Sequence, residues 1–134
     1  MASSSGSIEY PTNAEICRLN RAIIELSGGR FEPPDNLRIP GGLESLIQVV
    51  SNPIFGVDNY PTLEEKSAAI GHRIISGHIF NDGNKRTGIL VAWGFLIKNG
   101  THMYLDSSVE DLAVAIASGD AGYTELLEWI NAHK

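Results

Sequence analysis

Residues 85–100 read Lys85-Arg86-Thr87-Gly88-Ile89-Leu90-Val91-Ala92-Trp93-Gly94-Phe95-Leu96-Ile97-Lys98-Asn99-Gly100. Leu90, Trp93, Phe95, Leu96 and Ile97 give this segment an apolar girth too wide for a surface stripe, so it is predicted to be a central, mostly buried helix that starts near 85–87 and is closed by Gly100. A helix of that kind needs other elements wrapped around it, and the rest of the chain supplies helices. Ile16, Leu19, Ile23 and Leu26 recur on one helix face across 13–27, with Asn13 in the N-cap position and Gly28-Gly29 as the stop. Leu43, Leu46, Ile47 and Val50 mark a second helix after Gly41-Gly42. Thr62 with Glu65 forms a capping box opening a third helix over 63–76, ended by Gly77. Ser107 with Glu110 reads as another box, ahead of Val109, Leu112, Ala113 and Ile116 and a stop at Gly119; Tyr123, Leu126, Leu127 and Ile130 make a last helix.

Between these, residues 31–40 carry three prolines and should be irregular. Residues 52–61, with two prolines, Gly56, Phe55 and Tyr60, read as an ordered loop or a short hairpin and hold the only strand signal. The expected architecture is therefore all-α, a compact bundle of about six helices with a short hairpin or loop.

The bulk numbers set outer bounds. A chain of 134 residues makes one domain, expected over 9–134 behind a loose, small and polar tail at 1–8. No apolar run approaches the roughly 18 residues of a membrane span, and the start of the chain has neither the basic region nor the apolar stretch of a secretory signal. The net charge of −6 disfavours direct nucleic-acid or anionic-lipid binding, which needs an excess of Lys and Arg to meet phosphates. The lone Cys17 cannot form an internal disulfide, which fits a reducing cytoplasm.

The chemistry concentrates in His78-Ile79-Phe80-Asn81-Asp82-Gly83-Asn84-Lys85-Arg86-Thr87-Gly88, the loop that delivers the chain into the central helix. A helix start presents unpaired amides and the positive end of the helix dipole, an anion site. Gly83 and Asn84 suit the left-handed backbone of an anion-binding nest. Lys85 and Arg86 in the first turn are unfavourable with the dipole unless an anion pairs with them, and a polyphosphate supplies it. Asp82 adds a carboxylate of the sort that holds Mg²⁺ together with substrate phosphates. His78 can accept the proton of an attacking hydroxyl, and Phe80 reads as an apolar peg anchoring the loop. Singly, each residue has an ordinary structural explanation: a capping histidine, an Asp-Gly-Asn turn, a solvated Lys-Arg pair. Together they converge on one glycine-containing loop with no counter-charge for both cations.

The string His78-x-Phe80-x-Asp82-Gly83-Asn84-Lys85-Arg86-Thr87 resembles the Fic/Doc family signature, with eight specified positions in ten. Gly42-Leu43-Glu44, Tyr60-Pro61-Thr62 and Asn99-Gly100 are similar to the death-on-curing (Doc) pattern, and the resemblance covers about residues 9–130. It implies the Fic/Doc all-α fold and an enzyme using Mg-ATP to modify a protein hydroxyl. In that reading His78 is the base, Asp82 the Mg²⁺ ligand, and Gly83, Asn84, Lys85 and Arg86 hold the nucleotide phosphates. Residues 52–61 would be the family's flap, with Ile54, Phe55, Gly56 and Val57 aligning an extended target segment by backbone pairing, or else a plain connector.

AMP-transferring members carry Gly-Asn-Gly-Arg and a second arginine three residues on; here Lys85 and Ile89 occupy those two positions. Both changes resemble the Doc branch, which implies transfer of the γ-phosphate, a toxin acting on a threonine of elongation factor Tu in the bacterial cytoplasm, and an antitoxin supplying an inhibitory helix in trans to an exposed apolar groove. Gly83 in place of an alanine and Ser76 in place of an arginine depart from that branch, so AMP transfer stays open as the alternative. A catalytically silent helical binding module that keeps the loop as an anion site is the competing reading from another class. The self-inhibitory family motif has only a near miss, Ser5 to Glu9 followed by Tyr10. His72 and His78 have no zinc-ligand spacing, and His102 and His133 are expected at the surface.

Overall fold

A computed structural model describes residues 7–134; Ser5 and most of the expected tail lie outside the described residues. Six helices follow in order, α1 (Asn13–Ser27), α2 (Gly42–Ser51), α3 (Leu63–Ser76), α4 (Asn84–Lys98), α5 (Ser108–Ser118) and α6 (Tyr123–His133). The fold is the all-α bundle that the periodicity indicates.

α4 is the centre, with Ile89, Val91, Ala92, Phe95 and Leu96 buried on several sides, while Ile97 lies at its edge. α3 packs along it, and α1, α2, α5 and α6 enclose the pair. Two glycines set how close α3 and α4 come. A Cβ at Gly88 would lie 2.6 Å from Ile75 Cγ1 and 2.9 Å from the Gly71 carbonyl oxygen, so these backbones cross where no side chain fits. Ser67 Oγ donates to the Ala92 carbonyl at 2.8 Å in the same interface, satisfying a buried hydroxyl. Each large aliphatic residue buried here, Ile70, Ile74 and Ile75 among them, contributes about 1.5–3 kcal/mol.

Four local expectations need correction. The cap of α1 is Thr12, not Asn13: Thr12 Oγ1 accepts from Glu15 N at 3.1 Å and Glu15 Oε1 accepts from Thr12 N at 2.8 Å, a box that leaves Asn13 as the first helical residue. Leu26 is 87% exposed, because the buried face of α1 runs through Ile16, Asn20, Ile23 and Ile24 and turns away from position 26. Ser107 makes no cap bond to α5; Asp106 Oδ1 accepts from Ser108 N at 2.9 Å instead, one residue earlier than read. His133 is no plain surface residue. Its ring stacks on Trp129 at 3.8 Å, and its Nε2 lies 3.0 Å from Asp106 Oδ2.

The Thr62 and Glu65 box forms as read. Residues 52–61 contain a hairpin in miniature: Ile54 and Val57 exchange two backbone hydrogen bonds of 2.9 Å across Phe55 and Gly56, both at positive φ. Its base is fastened by Lys66, buried at 3% exposure, whose Nζ donates to Asp58 Oδ2 at 2.9 Å and to the Tyr60 carbonyl at 2.5 Å. The Asn99 carboxamide clamps the main chain of Glu9 through bonds of 2.9 and 3.0 Å. Cys17 is half-buried, and burial pushes its thiol up.

Candidate active site

The loop from α3 to α4 is pinned along the 31–40 segment. Phe80 is fully buried and pairs with Leu37, while the Ile79 carbonyl accepts from the amides of Arg38 and Ile39 at 2.8 and 3.2 Å. Asn81 N donates to the Asn36 carbonyl at 2.9 Å. The irregular 31–40 segment is thereby a short edge for the loop.

Beneath the loop lies a knot of buried amides. Asn20, with no exposed surface, donates from Nδ2 to the Asp82 carbonyl at 2.9 Å and to Thr87 Oγ1 at 3.1 Å, and its Oδ1 accepts from Asn36 Nδ2 at 3.0 Å. The knot joins α1, the 31–40 segment and the start of α4 through groups that cannot reach water, so each bond must form.

Gly83 leads into α4 at φ +79, and a Cβ there would come within 2.9 Å of Asn20 Nδ2. The first bond of the helix runs from Thr87 N to the Gly83 carbonyl at 2.9 Å. The amides of Asn84, Lys85 and Arg86 therefore precede the ladder and face outward with the dipole's positive end. The Asn84 side chain is committed elsewhere: its Oδ1 accepts from Phe80 N and its Nδ2 donates to the Phe80 carbonyl, both at 2.8 Å. What Asn84 offers an anion is its main-chain amide.

Lys85 and Arg86 are exposed, and neither has a carboxylate within ion-pair range among the described residues. Arg86 Nη1 donates to Ser27 Oγ at the end of α1. Between these cations, Asp82 and the end of α1 lies a cavity of about 220 Å³. Asp82 Oδ2 accepts from Arg30 N and Oδ1 from Gly83 N, both at 2.9 Å. These two amides hold its carboxyl below the usual carboxylate range, with Lys85 and Arg30 adding to the effect and burial opposing it. A Cβ at Gly29 would strike Asp82 Oδ2 at 2.8 Å, so the glycine pair read as a helix stop also lets the chain approach that carboxylate.

No group of three or more His, Cys, Asp or Glu among the described residues could hold a metal by itself. An ionised, exposed carboxylate next to a phosphate-sized cavity does fit Mg²⁺, which takes one or two carboxylates and completes its shell with phosphate oxygens and water.

His78 stands at the mouth of the loop, exposed, at φ +47. Its imidazole has no hydrogen-bond partner among the described residues, while its carbonyl accepts from Arg38 Nε at 2.8 Å. Arg38 Nη2 also donates to the Gly77 carbonyl at 3.3 Å, capping the end of α3 and holding the strained residue in place.

An exposed imidazole, an ionised carboxylate, free helix amides and two cations thus stand along one loop, and a model of the Fic/DOC family matches residues 10–96, which contain all of them. The chain belongs to that family. A protein named Toxin Doc from Mycolicibacterium smegmatis is 37% identical over 83 residues, 60% of this chain and 64% of its own length. A protein named Protein kinase doc from Escherichia phage P1 is 32% identical over 114 residues, 85% of this chain and 86% of its own. Among Fic/Doc proteins these relatives put the chain in the Doc branch.

In this Doc-branch chain the loop is legible in the sequence, but its supports Asn20, Gly29 and Arg38 and the hairpin's fastener Lys66 are not. A polar residue on the apolar face of α1, four positions after Ile16 and three before Ile23, was the available signal for Asn20. No helix of the described residues is long and apolar enough to cross a membrane.

Proposed function

We propose that this Doc-branch protein is a toxin that transfers the γ-phosphoryl group of Mg-ATP to a serine or threonine hydroxyl of a protein, with elongation factor Tu as the leading target. One observation carries the reading: Lys85 and Arg86 extend without a carboxylate partner from a helix start whose first three amides are free, beside an Asp82 kept ionised. Such a concentration of positive character costs stability unless an anion discharges it.

His78 takes the proton of the target hydroxyl as its oxygen bonds to the γ-phosphorus. The bond to the bridging oxygen breaks, and ADP leaves with that electron pair. Lys85, Arg86 and the amides of α4 hold the phosphate oxygens in line and offset their charge. Mg²⁺ on Asp82 would neutralise further phosphate charge. The hairpin at Ile54, Phe55, Gly56 and Val57 leaves its outer edge free to pair with an extended target segment.

Transfer of phosphate rather than AMP is favoured by Ile89, buried and apolar where AMP-transferring members carry a second arginine. With no second cation one turn along the helix, the positive charge sits at its start. The relatives' names, Toxin Doc and Protein kinase doc, support the same choice. An antitoxin helix bound in trans is the expected control, and the cytoplasm of a bacterium the expected setting.

The test uses purified elongation factor Tu and ATP labelled separately on the α- and γ-phosphates. Label on the protein from the γ position alone, lost with His78→Ala, is the expected result. Label from the α position would make the enzyme an AMP transferase, and no label from either would remove this target.

A further inference from the structure

The hairpin at Ile54 and Val57 has little of its own to stand on. Ile54, Phe55 and Val57 are all exposed, so their side chains bury little apolar surface. Among the described residues, one hydrogen bond joins positions 53–59 to a residue outside the 52–61 segment, from Lys66 Nζ to Asp58 Oδ2. A lone hairpin is at best marginally stable in water, so its place against the bundle is decided at its base.

That base is costly to build. Lys66 lies in the first turn of α3, and Ala69 and Ile70, one turn on, are core residues. A buried ammonium is unfavourable unless its protons find acceptors, whereas methionine would fill similar space without that penalty. The acceptors come from the hairpin's base. Lys66 Nζ donates to Asp58 Oδ2 at 2.9 Å and to the Tyr60 carbonyl at 2.5 Å, while Asp58 Oδ1 accepts from Tyr60 N at 3.0 Å. Ammonium, carboxylate and the main chain of residue 60 thereby close a ring of bonds. The bond from Lys66 holds the Asp58 carboxyl below the usual carboxylate range, and the Tyr60 amide adds to it.

The same helix leads to the imidazole. Arg73, in the last turn of α3, donates from Nη2 to the Tyr60 hydroxyl at 3.3 Å, and Ser76 and Gly77 follow directly before His78. α3 thus carries the anchor of the hairpin near its start and delivers His78 at its end.

We infer that Lys66 is a positioning residue for the target protein: its ion pair with Asp58 fixes the hairpin's free edge relative to His78, so that an extended segment paired there brings its hydroxyl to the imidazole. The role rests on the proposed docking of the target at Ile54, Phe55, Gly56 and Val57. Lys66 is too buried to touch a bound protein, and it lines neither cavity beside Lys85 and Arg86. Its effect therefore falls on target binding. An unfastened hairpin must be ordered by each target that pairs with it, and that ordering is subtracted from the binding energy.

The test compares the full chain with Lys66→Met, Asp58→Asn and the double variant. Amide exchange followed by NMR reports the hairpin without any substrate, and labelling of purified elongation factor Tu from γ-labelled ATP gives KM and kcat for the target. In Lys66→Met the amides of Ile54, Val57 and Tyr60 should exchange about tenfold or more faster while those of α4 do not change. Its urea midpoint should equal or exceed that of wild type, as expected when an apolar residue replaces a buried ion pair. Target KM should rise about fivefold or more, with kcat and Mg-ATP affinity within about twofold. Asp58→Asn should move exchange and KM in the same direction, and the double variant should be no worse than Lys66→Met, since both break one pair. Should Lys66→Met fail to fold, Asp58→Asn, on an exposed side chain, decides by the same readings.

Hairpin exchange unchanged in the variants, or raised equally across the whole chain, would overturn the inference. So would a fall in kcat and Mg-ATP affinity at unaltered target KM, which would place Lys66 with the nucleotide. If wild type labels no elongation factor Tu while the exchange contrast holds, the fastening stands and the failure belongs to the proposed target alone.

Discussion

Asn20→Ala cuts the knot under the loop between α3 and α4, and its cost can be worked from the bonds it removes. Three hydrogen bonds of 2.9, 3.1 and 3.0 Å disappear. Two of the abandoned partners, Thr87 Oγ1 and Asn36 Nδ2, belong to fully buried residues. An unsatisfied buried polar group costs about 1–3 kcal/mol, so the substitution should destabilise the fold by about 3–4 kcal/mol. For a domain of this size that lowers Tm by about 10–14 °C, leaving the protein folded at room temperature. Urea melts measure the loss as a shifted midpoint at unchanged slope. Thr87→Val, which removes only one of the bonds, should cost about 1 kcal/mol. Since the Asp82 carbonyl loses its donor as well, Mg-ATP affinity should fall with stability. A loss below about 1 kcal/mol would mean the loop does not depend on Asn20; a full loss of stability with unaltered nucleotide binding would mean the knot and the site are independent.

Gly88→Ala should cost about 1–3 kcal/mol by overpacking, because its Cβ would fall 2.6 Å from Ile75 Cγ1; a melt within error of wild type would disprove the close crossing of α3 and α4. His72 is held below its ordinary value of 6.5 by burial, with the charge of Arg73 adding and Glu125 opposing. The unfolded chain then binds the extra proton, so His72's contribution is fully present above 6.5 and is lost as pH falls through the folded value. His72→Gln should flatten that part of the pH dependence of urea midpoints, and an unchanged slope would refute it. Phe55, fully exposed at positive φ, makes no packing contribution, so Phe55→Gly should leave stability unchanged or raise it by up to about 1 kcal/mol while lowering target modification. His78→Ala should keep Mg-ATP binding and lose turnover by about 10²–10⁴-fold; retained turnover would exclude the imidazole as base.

The helices were legible because their signals are local. Apolar spacing and the Thr62 box depend on residues within a turn of each other, and the apolar girth of α4 announced its central position. The same locality explains the misses. Leu26 continues the period of α1 yet points to water, since the direction of the buried face is set by α4 and not by α1 itself. His133 and Asp106 are 27 positions apart, and nothing near either one announces their pairing. In the site, the loop residues were readable as a contiguous string. Asn20 and Arg38 were not, because each acts on the loop from 40 or more positions away. The hairpin at Ile54 and Val57 stood between loop and strand until the backbone bonds resolved it.

The central claim is that the start of α4 seats a polyphosphate on Lys85 and Arg86. Calorimetric titration of Mg-ATP into wild type and into a Lys85→Ala/Arg86→Ala double variant tests it directly, repeated at two salt concentrations with unfolding curves as control. Wild type should bind with an affinity that falls as salt rises, and the folded double variant should lose about 100-fold or more, as expected for two charge-assisted contacts. Equal binding by both proteins, or none by wild type, would contradict the account.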